Sequence, residues 1–201
     1  MKDEMDILKE VGTITAAHGS TALSEMLGRR INLKMPTLEI LTGGKVLDRI
    51  PANQIVISIY SHILTGLKGD ILFILDEKSA FHLVDMCYKV GQEDKKGGIL
   101  TEMGISTLKE VGNVVISAYA GALSMMLKTV IIPGIPTMAS GPMQHIMNIA
   151  ICPYSKEEYA LFVEVVFQEA SREITGTFYL VVNPEGMKYI QDCCKQLLNN
   201  P

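Results

Sequence analysis

Positive charge is scarce in this chain and nowhere concentrated. Eighteen Lys and Arg stand against twenty-two Asp and Glu, for a formal net charge of −4. No basic stripe appears, which argues against a nucleic-acid footprint. Cysteine numbers four. Cys87, Cys152, Cys193 and Cys194 show no Cys-x-x-Cys spacing, and neighbouring His residues do not complete a metal set. These cysteines read as buried thiols of a reducing compartment. No apolar signal region follows Met1-Lys2-Asp3-Glu4, so a cytoplasmic location is expected. A Ser/His/Asp set, a Gly-rich phosphate loop and a His-Glu-x-x-His helix are all missing. His18, His62, His82 and His145 are scattered and read as structural or surface residues. The twelve methionines read as core filler. A spanning helix is also disfavoured. The uncharged run from Val111 to Leu127 falls short of the ~20 residues required. Its sister stretch, 11–27, carries His18 and Glu25. A core helix accounts for both copies, a membrane span for only one.

What the chain does contain is a repeat. Leu8-Lys9-Glu10-Val11-Gly12 recurs one hundred residues later as Leu108-Lys109-Glu110-Val111-Gly112. Ala22-Leu23-Ser24, Met26-Leu27 and Pro36-Thr37 recur at the same offset, giving 13 identities over the 30 positions of 8–37. Unrelated segments rarely match so well without a gap. Solenoid repeats run at roughly 20–50 residues, so this period signals a duplicated half-domain instead. At 201 residues, 48% of them hydrophobic, the chain suits one globular domain of two fused halves around a pseudo-two-fold axis.

Each half predicts the order long helix, strand, loop, strand, strand, short helix. The long helices cover about 3–28 and 100–129. Strands are expected at Thr37–Leu41, Ile55–Leu64, Asp70–Leu75, Tyr159–Gln168 and Ile174–Val182. Thr65-Gly66-Leu67-Lys68-Gly69 is a hairpin signal. Short helices are expected at Ser79–Val90 and about 185–198. The charged stretch 91–98 reads as the linker between half-repeats 1–90 and 99–201. Gly69 through Asp76 aligns with Gly176 through Asn183, so the second half carries an insertion between Pro136 and Gly176. The stretch 139–155, broken by Gly141-Pro142 and Pro153, is its candidate and a plausible docking surface. The result is an α/β layered sandwich, two long helices on a largely antiparallel sheet.

Ser106, Glu110 and Asn113 are spaced i, i+4, i+7, which places them in one helical stripe. Asp6, Glu10 and Thr13 form the sister stripe. By chemistry alone, such a stripe is usually a solvated face. Gly12 and Gly112 cost about 1 kcal/mol each inside a helix. Two readings of them stand: close packing of the long helices, or room for a partner's backbone beside Glu110 and Asn113.

The pattern Asp/Ser-x-x-x-Glu-x-x-Asn, twenty-two residues, then Pro resembles the signature of the CheC family of chemotaxis phosphatases, which includes CheX and FliY. Ser106, Glu110, Asn113 and Pro136 match it throughout. Asp6, Glu10 and Pro36 match it too, but Thr13 replaces the Asn. The resemblance spans nearly the whole chain and implies a CheC-like domain, one motif intact and one degenerate, without the C-terminal rotor-binding domain of FliY. It implies a phosphatase acting on the phosphorylated receiver CheY, with Mg²⁺ held by that receiver and no cofactor or metal of the protein's own. Glu110 then pairs with the receiver's active-site lysine and Asn113 orients water. Ser106 and Gly112 contact the substrate, and Pro36 and Pro136 are structural. Differences at Thr13, His18 or Glu25 are candidates for silencing the first half. The resemblance also admits a non-enzymatic adaptor of the flagellar-switch kind, or a protein that binds the receptor deamidase CheD.

Overall fold

The computed structural model describes residues 4–42, 45, 51–88, 101–151, 159–169 and 172–199. In chain order these form α1 (Glu4–Leu27), β1 (Asn32–Thr42), β2 (Ile55–Thr65), β3 (Gly69–Asp76), α2 (Glu77–Cys87), α3 (Glu102–Leu127), β4 (Ile132–Pro133), β5 (Thr137–Pro142), α4 (Met143–Ile151), β6 (Tyr159–Glu169), β7 (Arg172–Val182) and α5 (Pro184–Asn199). The expected elements are present. The linker 91–98 lies outside the described residues.

Local chemistry sets the boundaries. Asp76 caps α2 by accepting the Ser79 N–H at 2.6 Å, and Asn183 accepts the Gly186 N–H at 2.8 Å at the start of α5. Thr101 does the same for α3 through the Gly104 N–H. The β2–β3 turn holds Gly66 at φ 97°, where a Cβ would strike the Val130 carbonyl oxygen at 2.3 Å.

One sheet, ordered β1-β6-β7-β3-β2-β4 with β5 also on β2, carries both halves, and every pairing among the described residues is antiparallel. Its centre reports the pseudo-symmetry directly. Leu72 faces Tyr179, flanked by Gly69 against Val182 and Leu75 against Gly176. Leu72 thus meets its own counterpart, and the counterparts of Gly69 and Val182, Gly176 and Leu75, pair with each other in turn. Around this axis the halves exchange their outer strands. β1, from the first half, pairs with β6 of the second, while β4 and β5, from the second, pair with β2 of the first.

Two expectations change here. β1 starts at Asn32 rather than Thr37, because an edge strand tolerates Pro36. The ladder shifts register between Lys34 and Thr37, where proline lacks a donor. The stretch from 139 resolves into the end of β5 and helix α4, with 152–158 outside the described residues.

α1 and α3 lie on one face of the sheet. A Cβ on Gly19 would sit 3.5 Å from Val115 Cγ1, and Thr15 lies beside Tyr119. As one position rises by four the other falls by four, so the helices run antiparallel with Ala17 and Ser117 at the midpoint. Phe178 stacks on Phe73 at 4.9 Å and on Tyr119 at 4.8 Å, joining sheet to helix. Burial pushes the Tyr119 phenol pKa up, with Thr15 opposing in part. α4 covers the other face, seating Met143, Ile146 and Met147 on Val56, Leu72, Ile74, Tyr179 and Val181. The fold therefore has a third, partial layer beyond the two-layer expectation.

The methionine expectation holds only in part: Met103 and Met125 are 60% and 64% exposed on α3. Cys194 is buried, while Cys87 and Cys193 are half-buried, so the expected burial of the thiols is also partial. His62 is exposed, with Nδ1 2.9 Å from Asp70, and His18 and His145 are exposed.

Strand exchange has a testable consequence. Segments 1–90 and 99–201, each expressed alone, should give no cooperative thermal unfolding, because each lacks the partner of its outer strand. Co-expressed, they should assemble into a species with a sharp transition by circular dichroism.

Candidate functional site

α3 turns one side to the core. Leu108, Val111, Gly112, Val115 and Ile116 are buried, whereas Ser106, Glu110 and Asn113 are exposed. The three span about 10 Å along the helix at 1.5 Å per residue. The Ser106 hydroxyl donates to the Glu102 carbonyl at 3.0 Å, so its proton is engaged and its lone pairs face outward.

Gly112 is not part of this surface. A Cβ there would lie 2.5 Å from Ile59 Cγ2 and 2.9 Å from Ile59 Cβ. The glycine lets α3 approach β2. This corrects both the expectation of a substrate contact and the idea that the residue opens the helix to a partner. It also refines the packing alternative, since the close neighbour is the sheet rather than α1.

Pro136 follows Pro133-Gly134-Ile135 at the break between β4 and β5. The Gly134 N–H donates to the His62 carbonyl at 2.8 Å, and Ser61 Oγ donates to the Gly134 carbonyl at 2.8 Å. Pro36 sits one hundred residues earlier, in the register shift of β1. Both prolines thus mark interruptions in the outer strands.

The sister residues Glu10 and Thr13 are exposed on α1, and Asp6 lies on the same helix with its side chain outside the described residues. Because the helices are antiparallel about Ala17 and Ser117, Thr13 and Asn113 stand on opposite sides of the midpoint. Their separation along the helix axis is about 12 Å. His18 and Glu25 lie beyond the midpoint from Thr13, level with Ile116 and Lys109 of α3, so they do not border the first motif.

Sequence reasoning missed Tyr88. It follows α2, and its hydroxyl meets the Met103 carbonyl at 3.2 Å and the Thr107 hydroxyl. Thr107 also donates to Met103. These contacts tie the opening turns of α3 to α2 just before Glu110. No motif signals such a residue, because nineteen positions separate it from Thr107.

Among the described residues, no group of three His, Cys, Asp or Glu is placed to hold a metal. α3 is long and apolar enough to cross a membrane by length and composition, but here it packs on the sheet as a core helix.

No family model matches the chain. The CheY-P phosphatase CheC of Bacillus subtilis is 26% identical over 176 residues, covering 86% of this chain and 83% of that protein. The flagellar motor switch phosphatase FliY of the same organism is 24% identical over 122 residues, 60% of this chain and 31% of that protein. Thermotoga maritima FliY superposes with a TM-score of 0.76 at 23% identity, covering 98% of each chain. The Helicobacter pylori FliM middle domain gives 0.67 at 12% identity, over 96% of this chain and 99% of that one. CheX, from its complex with CheY, BeF3 and Mg from Borrelia burgdorferi, gives 0.55 at 18%, over 90% and 99%. The structural likenesses establish a shared fold.

Gly112→Ala should destabilise the protein by about 1–3 kcal/mol, the usual cost of overpacking a filled core. Denaturant unfolding measures this. An unchanged midpoint would mean that Ile59 yields freely.

Proposed function

We propose that this chain, which belongs to the CheC/CheX/FliY family, dephosphorylates a phospho-aspartyl receiver of the CheY type through the exposed face of α3. The observation that carries the reading is the joint exposure of Glu110 and Asn113 on one helix whose opposite side is locked to the sheet. Similarity to a CheY-P phosphatase over most of both chains supports the general activity.

The chemistry suits these side chains. Hydrolysis of an aspartyl phosphate requires a water in line with the bond between phosphorus and the leaving carboxylate. Water adds to phosphorus, that bond breaks, and inorganic phosphate leaves the free aspartate behind. Catalysis of phosphoryl transfer is mostly positioning and electrostatics. The Asn113 carboxamide oxygen accepts a hydrogen bond from the water and orients it, while its NH₂ donates elsewhere. Glu110 pairs with the receiver's active-site lysine and sets the register of α3. Ser106 offers acceptor lone pairs at the contact. Mg²⁺ belongs to the receiver substrate, and the protein contributes no cofactor. Thr13 lacks the carboxamide, so the first motif, with Asp6 and Glu10, serves as scaffold.

A second reading is a non-enzymatic adaptor, favoured by the likeness to the FliM middle domain. An adaptor needs the fold but neither Glu110 nor Asn113. Binding of the deamidase CheD is a further partner proposal. Since α4 spends its apolar side on the sheet, such docking there would use exposed Gln144, His145, Asn148 and Ile149.

Asn113→Ala should slow receiver dephosphorylation by roughly 10²–10³-fold, the scale of removing one positioned polar group. The fold should persist, because the side chain is exposed. Loss of phosphoryl label from the receiver measures it, and an unchanged rate in folded protein removes Asn113 from the water-positioning role.

Glu110→Lys should weaken binding to a beryllofluoride-activated receiver, since like charges set together at an interface cost several kcal/mol. Calorimetric titration reads the affinity. Equal affinity would take Glu110 out of the contact.

A further inference from the structure

We propose that Met103 is the apolar anchor of the receiver on α3, seated against an uncharged patch beside the receiver's active-site lysine. The proposal rests on the phosphatase reading above and adds a contact residue outside the motif.

Helix geometry puts Met103 on the motif face. It precedes Ser106, Glu110 and Asn113 by three, seven and ten residues, so all four fall within about 80° around the helix. Along the axis it stands about 10 Å from Glu110 and about 15 Å from Asn113. Met103 is 60% exposed. Among the exposed residues of α3 from Glu102 to Gly121 it is the one large apolar side chain, the rest being charged, polar or glycine.

A single exposed methionine needs no explanation by itself. Two observations set this one apart. Its backbone is doubly held, because the hydroxyls of Tyr88 and Thr107 both donate to its carbonyl, at 3.2 and 2.9 Å. An anchor whose stem is already ordered loses less freedom on binding. Its position also favours an acid, since the first turn of a helix stabilises negative charge. The first copy has Asp3 there. α3 gives up that favourable charge and shows solvent a thioether instead.

The contact needs such a group. A stable interface takes roughly 800 Å² from each partner, far more than Glu110 and Asn113 supply. Beyond Asn113 the exposed face offers Ser117 and Gly121, whereas toward the helix start it offers Met103. Interface cores are enriched in methionine and depleted of charge, and the unbranched thioether adapts to the surface it meets. Glu110 sets register by charge, and Met103 supplies apolar burial. The first stripe, with Asp3 and Thr13, lacks both the anchor and the carboxamide.

Met103→Gln keeps the length of the side chain and removes its apolar character without adding charge. It should raise KM for the phosphorylated receiver about tenfold with kcat nearly unchanged, because the contact is the same before and in the transition state. Calorimetry should show a similar loss of affinity for the beryllofluoride-activated receiver. Met103→Leu should restore most of that affinity. Circular dichroism checks each fold. In the unmodified protein, the activated receiver should slow peroxide oxidation of Met103 but not of Met125, which is 64% exposed and about 33 Å further along α3. Unchanged KM and affinity in folded Met103→Gln overturn the proposal. So does a loss confined to kcat, an equal defect in Met103→Leu, or undiminished oxidation of Met103 in the complex. A protein that binds the activated receiver without speeding decay of the phosphorylated one refutes the phosphatase reading instead, and affinity and oxidation still decide the part of Met103.

Discussion

The seating of α3 on the sheet at Gly112 and Ile59 is the constraint on which the rest depends. A helix that close cannot roll, because any residue with a Cβ at 112 would collide with Ile59. Fixing one residue fixes the azimuth of all the others at about 100° per residue. Glu110 then lies about 200° around from Gly112, nearly opposite the sheet. Ser106 and Asn113 fall on the same outward side. The tie from Tyr88 to Met103 and Thr107 holds the opening turns of the same helix. A rigid helix suits a mechanism that works by positioning, where small misplacements of the reacting groups are costly.

The strand exchange extends this rigidity to both motifs. Each half donates its outer strand to the other's side of the sheet, so the halves cannot slide apart without breaking two edge ladders. α1 and α3 are consequently held as one unit about Ala17 and Ser117. A duplicated fold usually implies duplicated sites, yet here the copies diverge in chemistry while sharing geometry. Thr13 stands where Asn113 does, Lys128 where Gly28 does, and Tyr119 where Gly19 does. The last pair is structural: Tyr119 fills the space above Phe178, and Gly19 leaves it free for that ring.

Much of the fold was legible in the residues. The offset of one hundred appears as identities, and β2, β3 and β7 announce themselves by apolar, β-branched runs between turn signals. The candidate site was legible as a spacing, since i, i+4, i+7 defines one helical side. What the chain conceals is everything decided by tertiary contact. Strand exchange leaves no mark, because β1 presents the same residues to either neighbour. The direction of Gly112 is equally silent: a helical glycine suits a helix neighbour, a strand or a partner. α4 hides behind Gly141-Pro142, which reads as a break but serves as the step from β5 into the helix. The role of Pro36 emerged only when β1 proved to be an edge strand that carries a register shift.

The account needs no metal or nucleophile of the protein's own, only a held helix bearing one carboxylate and one carboxamide. Its central claim is tested most directly by following the decay of a phosphorylated CheY-type receiver, with Mg²⁺, as the unmodified protein is added. The account predicts that the first-order decay constant rises in proportion to the protein until the receiver is saturated. A decay constant equal to that of the receiver alone, with binding between the two demonstrated, would contradict it and favour the adaptor.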